Sequence, residues 1–233
     1  KTTDRIFALL EPGQSGESKL SLKTFGASSV TGSGLSNPTV SVSITVQGKT
    51  VETNGTIKNV LFTDSRKIKV TSNPRLFAKA LYYVGPFQNT GTIPPKAEKE
   101  TTYTVTWTVT NPINSLAGAR AVAILPPYVN WLDRVSPSSE KISYDSNTRQ
   151  ISWSIGNVSA GAGIVNSARE VSFQLSFLPS VNQIGTAPDL IGEASLTARD
   201  TFTSTTVSSI FQALTTRLSS DPYFNVNNEN VVK

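Results

Sequence analysis

Hydrophobic and polar residues alternate with a period of two along much of this chain, most clearly in Thr101-Thr-Tyr-Thr-Val-Thr-Trp-Thr-Val-Thr-Asn111. Tyr103, Val105, Trp107 and Val109 fall on one side and a row of threonines on the other. That spacing predicts a β-strand with one buried face and one wet face, whereas a helix would scatter the same residues around its axis. Val40, Val42, Ile44 and Val46 alternate with Ser41, Ser43 and Thr45, and Val171, Phe173, Leu175 and Phe177 repeat the pattern within Arg169–Phe177. Lys141–Tyr144 and Arg149–Ile155 flank Asp145-Ser-Asn-Thr148, which reads as a four-residue hairpin loop. Shorter strands are expected at Ile6–Leu10, Lys19–Phe25, around Val60 and Phe62, around Ile68 and Val70, and over Leu76–Val84. Gln47-Gly-Lys49 reads as a tight connection, and Ile210, Leu214 and Leu218 fit a short helix or an edge strand equally well.

Short strands with turns every 8–12 residues indicate an all-β fold, and the length suits two tandem immunoglobulin-like β-sandwich domains. Gly85–Lys96, with Pro94-Pro95 unable to donate ladder hydrogen bonds, is the expected joint. The division is then 1–94 for a basic first sandwich, 95–217 for a second, and 218–233 for an Asn-rich polar tail or linker.

Composition narrows the chemistry. There is no Cys, His or Met among 233 residues. Disulfides, thiolate metal sites, Cys nucleophiles and a Ser-His-Asp triad are therefore impossible within this chain. Ser and Thr make up roughly a quarter of it, well above ordinary usage. Of the net charge of +5, the excess lies in the first half, where Lys49, Lys58, Arg66, Lys67, Lys69, Arg75 and Lys79 cluster. No apolar run approaches the ~20 residues of a membrane-spanning helix, so membrane attachment is expected only through an anchor outside this stretch.

The order Thr102-Tyr-Thr-Val-Thr-Trp-Thr-Val-Thr-Asn111, Leu125-Pro-Pro-Tyr-Val129, Ile151-Ser-Trp-Ser-Ile-Gly-Asn-Val-Ser-Ala-Gly161 and Ala198-Arg-Asp-Thr-Phe202 resembles a repeat domain of unknown function. That domain occurs in bacterial and archaeal surface proteins. Leu10–Gly16, Ala80–Phe87, Pro94–Glu98, Ala168–Phe173 and Leu214–Pro222 resemble a subset in exported, membrane-anchored proteins of ultrasmall candidate-phyla bacteria. The resemblance implies an immunoglobulin-like module at the cell surface, often in arrays, and brings no catalytic residue with it.

The candidate residues follow from pattern and charge. Tyr128 and Trp131, beside Pro126-Pro127 in a less regular segment, are candidates for contact with a glycan or protein. Lys49, Lys58, Arg66, Lys67 and Lys69 could meet an anionic envelope polymer, while the absence of interleaved aromatics argues against nucleic acid. Arg169 with Asp200, or Arg199 with Glu170, would make a cross-strand ion pair fixing register. No cofactor or metal is expected. The chain reads as a non-enzymatic structural or adhesive surface module, acting as a stalk, spacer or envelope-assembly subunit beside other surface proteins or copies of itself.

Overall fold

The computed structural model describes residues 9–11, 13–19 and 36–233. The strands expected at Ile6–Leu10 and Lys19–Phe25 lie largely or wholly outside the described residues. The chain divides into two compact units, Lys1–Thr31 and Gly32–Lys233. In the first, the Gln14 N–H donates to the Glu11 carbonyl at 2.9 Å across the expected turn.

The second unit is all-β. Its strands are β1 (Thr39–Val51), β2 (Ile57–Lys69), β3 (Arg75–Leu81), β4 (Thr101–Thr110), β5 (Leu116–Ile124), β6 (Val129–Ser136) and β7 (Lys141–Asp145). They continue with β8 (Gln150–Val158), β9 (Arg169–Phe177), β10 (Asp189–Ile191), β11 (Ala194–Asp200), β12 (Thr206–Phe211) and β13 (Leu214–Thr215). One sheet has the order β3-β4-β9-β6 and the other β12-β11-β5-β8-β7, with β1-β2 and β10-β13 as separate pairs. In chain order, β3, β4, β6 and β9 correspond to immunoglobulin strands A, B, D and E, and β5, β11 and β12 to C, F and G. The β7–β8 hairpin, inserted between D and E, widens the second sheet on the C side.

The β4 pattern fills the space between the sheets. Tyr103, Val105, Trp107 and Val109 are fully buried, opposite Leu175, Phe173, Val171 and Arg169 on β9. Ala78 pairs with Trp107, and Ala121 with Trp153, so small residues make room for the two indoles. Each large side chain withdrawn from water here stabilises by roughly 1.5–3 kcal/mol.

Four expectations need correction. The threonine face of β4 is not wet: Thr102, Thr104 and Thr106 are buried. Residues 85–92, the first part of the expected Gly85–Lys96 joint, fold back over that face. The Asn89 side-chain amide donates to Thr104 Oγ1 at 3.1 Å, the Thr90 N–H donates to Thr102 Oγ1 at 2.7 Å, and Thr106 pairs with Ser172 at 2.8 Å. Gly91 permits the close approach, because a Cβ there would lie 2.6 Å from the Glu100 carbonyl and the Thr101 Cα.

The sheet also begins before Pro94-Pro95, since β3 pairs with β4 along its whole length. Of the first sandwich expected over 1–94, the described residues hold β3, which belongs to this sheet, and the β1–β2 pair. Third, Gln47-Gly-Lys49 lies inside β1, and the chain reverses at Glu52–Thr56 instead. Gly55, at φ 81°, supplies the left-handed residue that this turn needs.

Last, Asp221–Lys233 is packed on the sandwich. Asp221 accepts the N–H groups of Tyr82 and Tyr83 at 2.7 and 2.8 Å, Val231 is buried, and the Val232 N–H donates to the Pro95 carbonyl at 2.8 Å.

Candidate interaction surface: a basic ribbon and its root

β1 and β2 form an antiparallel ribbon of two 13-residue strands. At ~3.4 Å per residue it extends about 44 Å. The pairing Thr39↔Lys69 through Val51↔Ile57 places directly opposed residues on a common face. One face carries Val40, Val42, Ile44 and Val46 beside Ile68, Arg66, Asp64 and Phe62; the other carries Thr39, Ser41, Ser43 and Thr45 beside Lys69, Lys67, Ser65 and Thr63. Among the described residues, neither face has a core against it. Phe62 is 62% exposed and Val46 57% exposed.

All five basic residues singled out above lie on this ribbon. Lys67 and Lys49 are on the hydroxyl-rich face. Lys58 lies 3.4 Å from Glu52 and Arg66 lies 3.2 Å from Asp64, both as exposed pairs worth little on their own. Lys69 is engaged at the ribbon's base: its Nζ donates to the Phe202 carbonyl at 3.0 Å and sits 4.7 Å from the centre of the Phe202 ring.

That base is a buried polar knot centred on Asp200. Its Oδ2 accepts the Ser72 N–H at 2.7 Å and the Asn114 side-chain amide at 2.8 Å, and its Oδ1 accepts the N–H groups of Phe202 and Thr203 at 2.8 and 3.0 Å. Burial opposes ionisation, but the four donors outweigh it and hold the carboxyl at about 2. Asn114 donates in addition to the Val70 carbonyl at 2.8 Å and accepts the Asn37 N–H at 2.9 Å. Ser72 Oγ donates to the Ile113 carbonyl. Both legs of the ribbon, at Asn37 and at Val70–Ser72, are thus fastened to one carboxylate and one amide of the sandwich.

Asp200 therefore has no arginine partner here. β9 and β11 lie in different sheets, so neither expected pairing, Arg169 with Asp200 or Arg199 with Glu170, is made. Arg169 instead donates to both Glu140 oxygens at 2.7 and 2.9 Å, and Glu140 also accepts the Trp153 indole N–H at 2.8 Å. Glu170 accepts from Thr108 Oγ1 at 2.9 Å, and Arg199 is exposed.

Tyr128 and Trp131 are half-buried rather than free. Trp131 stacks on Tyr144 with ring centres 6.2 Å apart and tilts against Phe173 at 5.3 Å, closing the open edge between β6 and β7. Tyr128 meets Phe177 edge-on at 5.7 Å. Arg149 holds the turn carrying Tyr128 by donating to the carbonyls of Leu125, Pro126 and Val129. Burial and the nearby Asp189 carboxylate push the Tyr128 phenol up, against one lowering hydrogen bond. Among the described residues, no three Asp or Glu side chains gather as a metal site would require.

The fold and this surface define an immunoglobulin-like sandwich carrying a projecting ribbon. No family model and no curated protein matches the chain. Among solved structures, it is similar to the major pilin subunit of Bacillus cereus, at 9% identity and a TM-score of 0.39 over 73% of this chain and 47% of that one. It is also similar to the full-length major pilin SpaD of Corynebacterium diphtheriae (12% identity, TM-score 0.35, covering 62% and 34%). A third is the C-terminal domain of an antigen I/II polypeptide of Streptococcus agalactiae (15% identity, TM-score 0.32, covering 72% and 59%). The chain spans about half the length of the Bacillus pilin subunit.

Proposed function

We propose that the chain is a structural and adhesive module of a bacterial cell-surface protein, without catalysis, of the kind used as stalk, spacer or envelope-assembly subunit. Its motif resemblance extends the reading to exported, membrane-anchored proteins of ultrasmall bacteria. The ribbon carries the proposal: a long strand pair, uncovered among the described residues, is fastened at one end to a hydroxyl-coated sandwich, in a chain that contains no Cys, His or Met. Such an element adds surface without adding core, which favours contact over chemistry.

Its hydroxyl-rich face, with Lys49 and Lys67, suits an anionic envelope polymer. On dextran sulfate resin the chain should elute at higher salt than Lys49→Gln/Lys67→Gln, and identical elution would remove the polyanion contact. The location is tested by labelling intact producing cells with a membrane-impermeant amine reagent. Label on the chain supports the surface reading, and label only after lysis contradicts it.

A further inference from the structure

We propose that the apolar face of the β1–β2 ribbon is a self-association surface that stacks on the same face of a second copy of this chain. Along β1 this face presents, from base to tip, Val40, Val42, Ile44, Val46, Gly48 and Thr50; along β2 it presents Ile68, Arg66, Asp64, Phe62, Val60 and Lys58 in the same order. A two-strand ribbon has no interior of its own and is at best marginally stable in water. An alternating sequence that places every aliphatic residue of β1 between Val40 and Val46 on one face specifies a cover for that face.

The face is complementary to itself. Consider a two-fold axis lying between the two ribbons, perpendicular to the strands, and level with the midpoint between the Val42–Arg66 and Ile44–Asp64 rows. The rotation sets β1 over β1 and β2 over β2 in opposite directions. Val42 then lies over Ile44 of the other copy, Val40 over Val46, and Ile68 over Phe62. Arg66 lies over Asp64, and the operation makes each of these contacts twice, as an isologous interface requires.

The two charges among these four rows are therefore each matched, in the register that also pairs every hydrophobic residue of the four rows, while the Gly48–Val60 and Thr50–Lys58 rows nearer the tip extend past the partner's Val40–Ile68 row. Within one copy the same two side chains are 3.2 Å apart, so the stacked pair makes a four-charge cluster of alternating sign. This charge pattern is what selects a second copy over an unrelated apolar partner.

The area sets the strength. The matched rows from Val40 to Val46 span ~24 Å, and at two strands (~10 Å) wide they cover about 240 Å² per copy, or roughly 480 Å² in total, well below the ~1,200 Å² of a standard stable interface. The association is accordingly weak in dilute solution and gains from the high local concentration of neighbouring copies. The proposal deepens the surface-module reading by naming the partner of the apolar face. Its test is in solution, so its failure leaves the cell-labelling and polyanion outcomes untouched.

Sedimentation equilibrium of the intact chain from about 1 µM to 1 mM should show a reversible monomer–dimer equilibrium, the weak regime expected for so small an interface. Arg66→Asp alone and Asp64→Arg alone should each dimerise ~10-fold less well or worse, because each places like charges opposite one another. An equimolar mixture of the two variants should recover association, since both cross-pairs become opposite in sign. A fold defect cannot produce recovery on mixing. A wild-type chain that stays monomeric at 1 mM overturns the proposal, whether the face is then covered within the chain or by a different partner. Single variants that associate like wild type, or a mixture that does not recover, overturn the register.

Discussion

Replacing Asp200 by Asn removes the charge at the ribbon's root while keeping the shape of the side chain. In the native protein the carboxylate accepts four hydrogen bonds, two per oxygen, at 2.7–3.0 Å. An Asn can accept at one oxygen only, so its amide must face two N–H donors. Lost bonds to an ionised acceptor are worth ~1.5–3 kcal/mol each, and stranded buried donors add to that, so a total loss of about 3–4 kcal/mol at pH 7 is expected after relaxation. The pH dependence gives an independent value. The folded carboxyl lies at about 2 and its reference value is 3.8. A carboxyl depressed on folding contributes stability above its unfolded pKa and loses it as pH falls through the folded pKa. The window is thus pH 4 down to pH 2, and the contribution is ~2.4 kcal/mol at ~1.36 kcal/mol per unit. Urea denaturation of wild type and Asp200→Asn at pH 7 and pH 2.5 measures both quantities. The gap in unfolding free energy should be wide at pH 7 and should shrink by ~1.5 kcal/mol or more at pH 2.5, because only wild type has a proton to take up there. Equal stability at pH 7, or a gap that does not change with pH, would refute the account of the knot.

Three further outcomes test the sandwich. Trp107→Ala should cost ~3–5 kcal/mol, and Trp107→Asp should leave no folded protein; unchanged melting would place the indole outside the core. Glu140→Gln should cost ~2–3 kcal/mol through the weakened Arg169 pair and the indole N–H of Trp153; unchanged urea stability would contradict it. Trp131→Ala should destabilise by ~2–3 kcal/mol through the lost Tyr144 and Phe173 contacts. If that variant instead melts normally and loses a glycan-array signal that wild type gives, Trp131 is a ligand contact.

How much of this was legible follows from the range of each interaction. The strands of the core were, because Tyr103, Val105, Trp107 and Val109, and likewise Val171 to Phe177, encode burial by local alternation. The ribbon was half legible. Val40 to Val46 reads as a strand, but alternation cannot say whether the apolar side meets a core, and among the described residues it does not. The covered threonine face was hidden because a hydroxyl is satisfied equally by water or by Asn89 and Thr90, and only the fold-back of the loop chooses between them. Asp200 was noticed as a charge, yet its partners Ser72 and Asn114 are 128 and 86 residues away. The one local clue was the Asp200-Thr-Phe-Thr turn, in which the carboxylate caps its own following N–H groups. Arg169 found Glu140 rather than Asp200 because the β7–β8 hairpin insertion brings Glu140 to that edge, a matter of topology that no strand pattern records.

The central claim is that a self-supporting sandwich holds out a ribbon whose stability depends on what covers it. Residue-resolved hydrogen exchange on the full chain, at two concentrations about a hundredfold apart, tests this most directly. The amides of β4, β5, β8 and β9 should exchange only through global unfolding at both concentrations. Those of β1 and β2 should exchange much faster in the dilute sample and slow at the higher concentration. Ribbon amides as protected as the sandwich in dilute monomer, and indifferent to concentration, would contradict the account.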